Sequence, residues 1–147
     1  MTTLREVLTD PAAAGVYRAP LRPPAAALRR RVEAAGLRCF TLDGGGVVDK
    51  AGFLRACAGA LALPGYFGRN WDALEECLRD LSWAPAPGYV ILYDRAAPFI
   101  RHAPADWAVA LAVFASAAAH WRGEATSFAV LLRRAGDLGA AIPFLTV

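Results

Sequence analysis

The sequence predicts one α/β domain, because three short apolar segments alternate with helical patterns along 147 residues. Residues 37–42, 89–93 and 128–132 are apolar on both faces, as strands of a parallel sheet covered by helices must be. The helical signals fall before and between them, which is the order that parallel strands need for their crossovers. A chain of this length builds one sizeable core and falls short of two.

Taken in order, residues 1–18 lack a strong apolar period and read as an extension. Pro20, Pro23 and Pro24 break regular structure over 19–24. Pro24 then suits the first turn of a short helix over 25–35, closed by Gly36. Strand 37–42 ends in a turn at 43–46. Its Gly44, Gly45 and Gly46 invite a phosphate-loop reading, but the Gly-x4-Gly-Lys-Ser/Thr spacing is absent and no hydroxyl residue follows Lys50. The glycines therefore read as a flexible turn. Asp49 caps a helix in which Phe53, Cys57 and Leu61 repeat every four residues. A further helix follows at 70–82, then strand 89–93. Residues 105–121 form a helix that is apolar over most of its circumference. Its apolar core is too short for a membrane span of about 20 residues and is bracketed by Asp106 and His120, so it reads as buried. Strand 128–132 completes a three-stranded sheet, and the apolar end of 136–147 fits none of these elements. The domain boundaries expected are an extension with a short helix at 1–36, the α/β domain at 37–134, and a C-terminal extension at 135–147.

Hydrophobic residues make up 56% of the chain and charged residues 20%, the balance of a chain that folds around a core rather than a disordered one. The net charge of +3 is unevenly laid out. Residues 1–38 hold seven arginines against three acids, whereas residues 43–94 hold seven acids against four bases. The acidic middle of a basic protein says more about partners than the total does. Cys39, Cys57 and Cys77 have no CxxC spacing and no export leader precedes them, so they read as reduced thiols in a cytoplasmic protein. With only His102 and His120 there is little material for a histidine triad or a histidine metal site, and no metal or cofactor is expected.

The most informative segment is the helix at 70–82. Asn70 is a good cap, and Trp71, Leu74, Cys77, Leu78 and Leu81 share one face, which is the buried one. On the other face Glu75 and Arg79 are placed to pair in the favourable i, i+4 order. Asp72, Glu76 and Asp80 repeat at i, i+4, i+8 as an acidic stripe with no basic partner along the same line. Tyr66 and Phe67 stand in a glycine-flanked loop just before the cap. On helix physics alone the dipole accounts for acids near the amino end, and the two aromatics fit a core equally well. Paired catalytic use of Asp72 and Glu76 would need a raised carboxyl pKa, which a solvated helix face does not supply. No enzyme activity is expected.

The run LALPGYFGRNWDALEECL resembles the signature of the barstar family, the intracellular protein inhibitors of secreted bacterial ribonucleases of the barnase type. It matches without gaps a Leu-Pro-x-Tyr-aromatic-Gly-x-Asn-x-Asp-Ala-Leu-x-acid-Cys-Leu pattern, and the strand–helix order over about 39–134 is similar to that family's three-stranded parallel sheet. The resemblance implies inhibition by occlusion, with acids of this helix and the loop before it entering a cationic ribonuclease cleft. Asp72 then matches the central acid that takes the place of a substrate phosphate, Glu76 the second acid one turn later, and Tyr66 the tyrosine at the rim. Asn70 matches the structural asparagine at the helix start. The implied partner surface comprises Tyr66, Phe67, Gly68, Arg69, Asn70, Asp72, Glu75, Glu76 and Asp80. Glu75 stands where the best-known member has an aromatic, Arg69 replaces an acid, and Asp80 replaces a small contact residue. Those departures leave a barstar-fold immunity module for another toxin or enzyme as an alternative. A third reading, nucleic-acid binding, draws on Arg29, Arg30 and Arg31 with Arg22 and Arg38 nearby. No interleaved aromatics offer base stacking there, and a solvated arginine face explains the run as well.

Overall fold

Two apolar clusters, one on each face of a parallel sheet, organise the chain. The structure, a computed structural model, describes residues 1–64, 68–139 and 141–147. In chain order the elements are α1 (Leu4–Thr9), a 3-10 turn (Pro11–Ala13), β1 (Gly15–Arg18), α2 (Ala25–Ala34), β2 (Arg38–Asp43), α3 (Lys50–Ala60), α4 (Trp71–Asp80), β3 (Gly88–Asp94), α5 (Ala97–His102), α6 (Pro104–Gly123) and β4 (Ser127–Leu132).

The α/β class holds, but the expected three-stranded sheet is corrected to four strands, all parallel, in the order β1-β4-β3-β2. The added strand is β1, from the segment read as an extension. Its register places Val16 against Val130 and Tyr17 against Leu131. A four-residue strand with only Tyr17 buried gives neither an apolar run nor a clear alternation. Its outer edge is closed from far along the chain. Arg18 donates its amide to Pro143, and Leu145 donates to Arg18, both at 2.8 Å. The C-terminal residues that fitted no element thus cover a sheet edge that would otherwise be open.

The central strands are buried on both faces, and period 2 sorts their side chains. Tyr89, Ile91 and Tyr93 of β3, with Phe128 and Val130 of β4, join the cluster under α3 to α6. Val90 and Leu92, with Ala129 and Leu131, join the cluster under α1 and α2. Phe53 of α3 is the hub of the first cluster. Its ring lies 4.8 Å from that of Phe99, 5.8 Å from Trp71, 5.9 Å from Tyr93 and 6.1 Å from Phe114. α6 packs along this cluster through Trp107, Ala110, Phe114 and Ala117. No helix among the described residues is long and apolar enough to cross a membrane.

The glycine turn after β2 has a steric cause. A Cβ on Gly44 would run into the Arg95 carbonyl and the Tyr93 ring, and Gly46 sits at φ +79. The turn lets β2 pass close beneath the residue that follows β3, and this close approach accounts for the glycines without a ligand.

Candidate functional site

α4 is held so that its polar face stands clear of the core. Asn70 caps it, accepting from the Ala73 amide at 2.8 Å, and Leu81 ends it in the left-handed region at φ +49. Leu74 and Leu78 are fully buried, with Cys77 at 4% and Leu81 at 1% exposure, as the helical wheel requires. Trp71 is half-buried. One side of it meets Phe53, and Lys50 Nζ lies 5.7 Å from its ring centroid. The Trp121 indole N–H donates to the Leu78 carbonyl at 2.7 Å, tying α4 to α6. The helix is therefore a rigid platform rather than a mobile arm.

Asp72, Glu76 and Asp80 are all exposed, and no ion pair engages any of them among the described residues. Asp72 lies in the first turn, where the amide dipole favours a carboxylate. Asp80 accepts from the Ser82 hydroxyl at 3.0 Å, near the far end of the stripe. Glu75 behaves differently from its expected pairing with Arg79. It is half-buried, and its Oε1 accepts a hydrogen bond from Ser116 Oγ of α6. No Glu75–Arg79 ion pair is present among the described residues, because the α6 hydroxyl captures the carboxylate from the inner side. Gly68, Arg69 and Asn70 are exposed ahead of the helix, with Arg69 at φ +52. Tyr66, assigned to the rim, and Phe67, assigned to the same partner surface, lie outside the described residues.

Two residues near this surface have no signal in the sequence. Ser116 and Lys50 reach α4 only through tertiary packing, and no local pattern announces such contacts. Trp71, expected on the buried face, packs against the core but is only half-buried beside Asp72.

Other charged groups answer to the fold. Asp94 ends β3 and is 8% exposed. Its carboxylate accepts from Arg134 at 2.8 and 3.0 Å, from Arg133 at 2.8 Å, and from the Arg95 amide at 2.8 Å. The Arg134 guanidinium foremost, with the Arg95 amide and Arg133, holds its pKa below the ordinary carboxylate range against the opposing effect of burial. Arg95 forms a two-pronged ion pair with Asp43, whose pKa is lowered chiefly by that contact. All three cysteines are buried and unpaired, and burial pushes the Cys39 thiol up to about 11. The N-terminal arginine run is partly engaged, since Arg29 pairs with Glu33 at 2.6 Å on α2. Arg30 and Arg31 are exposed.

Fold and surface together define a class: a helix-covered parallel α/β domain that presents carboxylates from a capped, core-anchored helix. Residues 37–133, most of the chain, match the family described as Barstar (barnase inhibitor), and the chain belongs to that family. Membership implies a protein partner at the level of the family. No curated protein matches the chain. Among solved structures, the chain is similar to the ORC2 protein of Aeropyrum pernix in its ADPNP–ADP complexes, at 16% identity and a TM-score of 0.60. That likeness covers 88% of this chain and 37% of the other, and at this identity it concerns the fold alone.

Proposed function

We propose that this protein binds a ribonuclease of the barnase type and occludes its cationic active site. It acts in the cytoplasm and has no catalysis of its own. The observation that carries the reading is the exposed, unpaired stripe Asp72, Glu76 and Asp80 on a helix whose opposite face is locked into the core. Such a helix presents negative charge from a pre-formed backbone, so binding need not order the segment that carries it. Asp72, at the amino end, enters the phosphate-binding pocket. Glu76 follows one turn later, and Arg69, Asn70 and Gly68 border the contact with Tyr66 and Phe67. Glu75 stays with Ser116 and contributes at the rim.

The test is titration against a barnase-type ribonuclease, read as residual RNA cleavage. Asp72→Ala should weaken inhibition by about 2–5 kcal/mol, because a buried partner charge is left unmatched; that range draws on the barnase–barstar pair itself and is borrowed from it. The association rate should fall as salt rises, since exposed carboxylates steer encounter through a screened field. Wild-type inhibition that survives Asp72→Ala unchanged would remove the acidic face from the binding surface. Absence of inhibition, with capture of a different cationic enzyme in its place, would favour the immunity-module reading.

A further inference from the structure

The carboxyl ends of the strands hold a second group of charges, separate from the acidic face of α4. β1 and β4 are neighbours, but their continuations part. β1 leads to α2 on one face of the sheet, while β4 runs on into residues whose Ala135 and Ile142 pack on the other. Where the continuations of adjacent parallel strands part in this way, a crevice opens at their carboxyl ends, and open α/β sheets bind ligands in it. Here the crevice is a cavity of about 240 Å³ lined by Arg18, Leu21, Arg134, Gly136 and Phe144 among others.

Arg18 forms one wall. Its guanidinium carbon lies 3.8 Å from the centroid of the Phe144 ring. Its Nε is buried and has no hydrogen-bond partner among the described residues. Its side chain donates no hydrogen bond among the described residues, so a guanidinium is held over an aromatic ring with its buried Nε unmatched. Buried donors in native proteins are almost always matched, and a stacked guanidinium is a ready fork for an oxyanion. Arg134 stands on the other wall and shares Asp94 with Arg133. Two guanidiniums on one carboxylate leave one positive charge in excess, whereas Arg95 is neutralised by Asp43. With Arg18 the excess is two, which matches the dianion of a phosphate monoester better than a single carboxylate. Leu21 and Phe144, 62% and 52% exposed, give the rim an apolar lip for a small organic group. The volume is below the roughly 300–1,000 Å³ of pockets for drug-sized ligands, so the ligand is small.

We propose that this crevice binds the phosphate group of a small phosphate monoester, held by Arg18 and Arg134. The wall is firm because Arg133, 5% exposed, donates to the Leu21 carbonyl at 2.8 Å and fixes the segment after β1. The site is independent of the acidic face, so ribonuclease inhibition can fail while this binding stands.

Thermal unfolding and calorimetric titration of the full chain decide it, with inorganic phosphate, glycerol 3-phosphate and acetate compared at one fixed ionic strength. Saturable binding of glycerol 3-phosphate, tighter than that of inorganic phosphate and absent for acetate, is expected. Arg18→Gln and, separately, Arg134→Gln should each weaken it tenfold or more, and Arg30→Gln on α2 should not. Should Arg18→Gln fail to fold, Arg134→Gln carries the test, because Asp94 keeps Arg133. Equal affinity for inorganic phosphate and the ester would assign the site to the free anion and overturn the ester. A response shared by acetate, or one untouched by both variants, would overturn the site itself.

Discussion

Asp72 and Asp94 carry the same functional group and do opposite work. Asp72 stands exposed on α4 with no ion-pair partner among the described residues, while Asp94 is 8% exposed and accepts from two arginines and a backbone amide. A solvated carboxylate contributes little to stability and is available to a partner. A buried one holds the structure together and is available to nothing else, because removing either side of its contacts strands a charge. The acidic middle of the sequence therefore divides by partnership: Asp43, Asp49 and Asp94 are engaged by the fold, while, among the described residues, Asp72 and Glu76 are left free for a partner.

The largest effect should come from the flank that completes the sheet. Deleting residues 1–18 removes β1 and exposes the edge of β4. It also removes Leu4, Val7 and Tyr17 from the second core cluster. Burial of each such side chain stabilises by about 1.5–3 kcal/mol, against total stabilities of roughly 5–15 kcal/mol. A chain starting at Ala19 should show no cooperative unfolding transition by circular dichroism. A cooperative transition near the full-length midpoint would mean that the rest of the chain folds without residues 1–18 and their strand β1.

Next in size, Asp94→Ala should cost about 3–5 kcal/mol by urea denaturation, the range for breaking a buried charged contact. Inhibition by the fraction still folded should be unchanged. The pH dependence has a definite sign. Because the folded state holds the Asp94 pKa below its ordinary value, its contribution is complete above the unfolded carboxylate value of about 3.9 and is lost as pH falls through the folded value. The stability gap between wild type and Asp94→Asn should therefore narrow on acidification below about pH 4. A gap that stays constant with pH would show that Asp94 is not ionised in its arginine cluster.

Legibility in the sequence followed the range of the interactions. The core strands and the wheel of α4 were readable because apolar runs and the 3.6-residue period are local, and Asn70 and Asp49 are caps recognisable by type. β1 was not, because its place depends on Pro143 and Leu145, more than a hundred residues away. α1 did leave a signal: Thr-x-x-Glu at 3–6 is a capping-box pattern, and Thr3 accepts from the Glu6 amide at 3.1 Å, the first of its two bonds. The acidic stripe was legible as spacing. Which of its neighbours is drawn inward was not, since Ser116 lies 41 residues from Glu75 and competes with an Arg79 that the sequence places one turn away.

That competition gives the smallest expected effect and the finest test of the division between the two kinds of carboxylate. Glu75 is the intermediate case, half-buried and bonded across to α6, yet on the same helix as Asp72. Ser116→Ala removes the donor but leaves Glu75 reachable by water, so the cost should be near that of one ordinary hydrogen bond, about 1 kcal/mol in urea. Glu75→Ala should cost a similar amount for the same reason. Neither should change inhibition by more than a small fraction of the Asp72→Ala loss, because the Glu75 carboxylate is turned toward α6 rather than outward. If Glu75 belongs with the carboxylates engaged by the fold, the two single losses overlap, and the double variant costs no more than either alone. If it releases Ser116 to meet the ribonuclease, Glu75→Ala weakens inhibition as Asp72→Ala does. In that case Ser116→Ala tightens it, since the carboxylate no longer has an internal bond to give up.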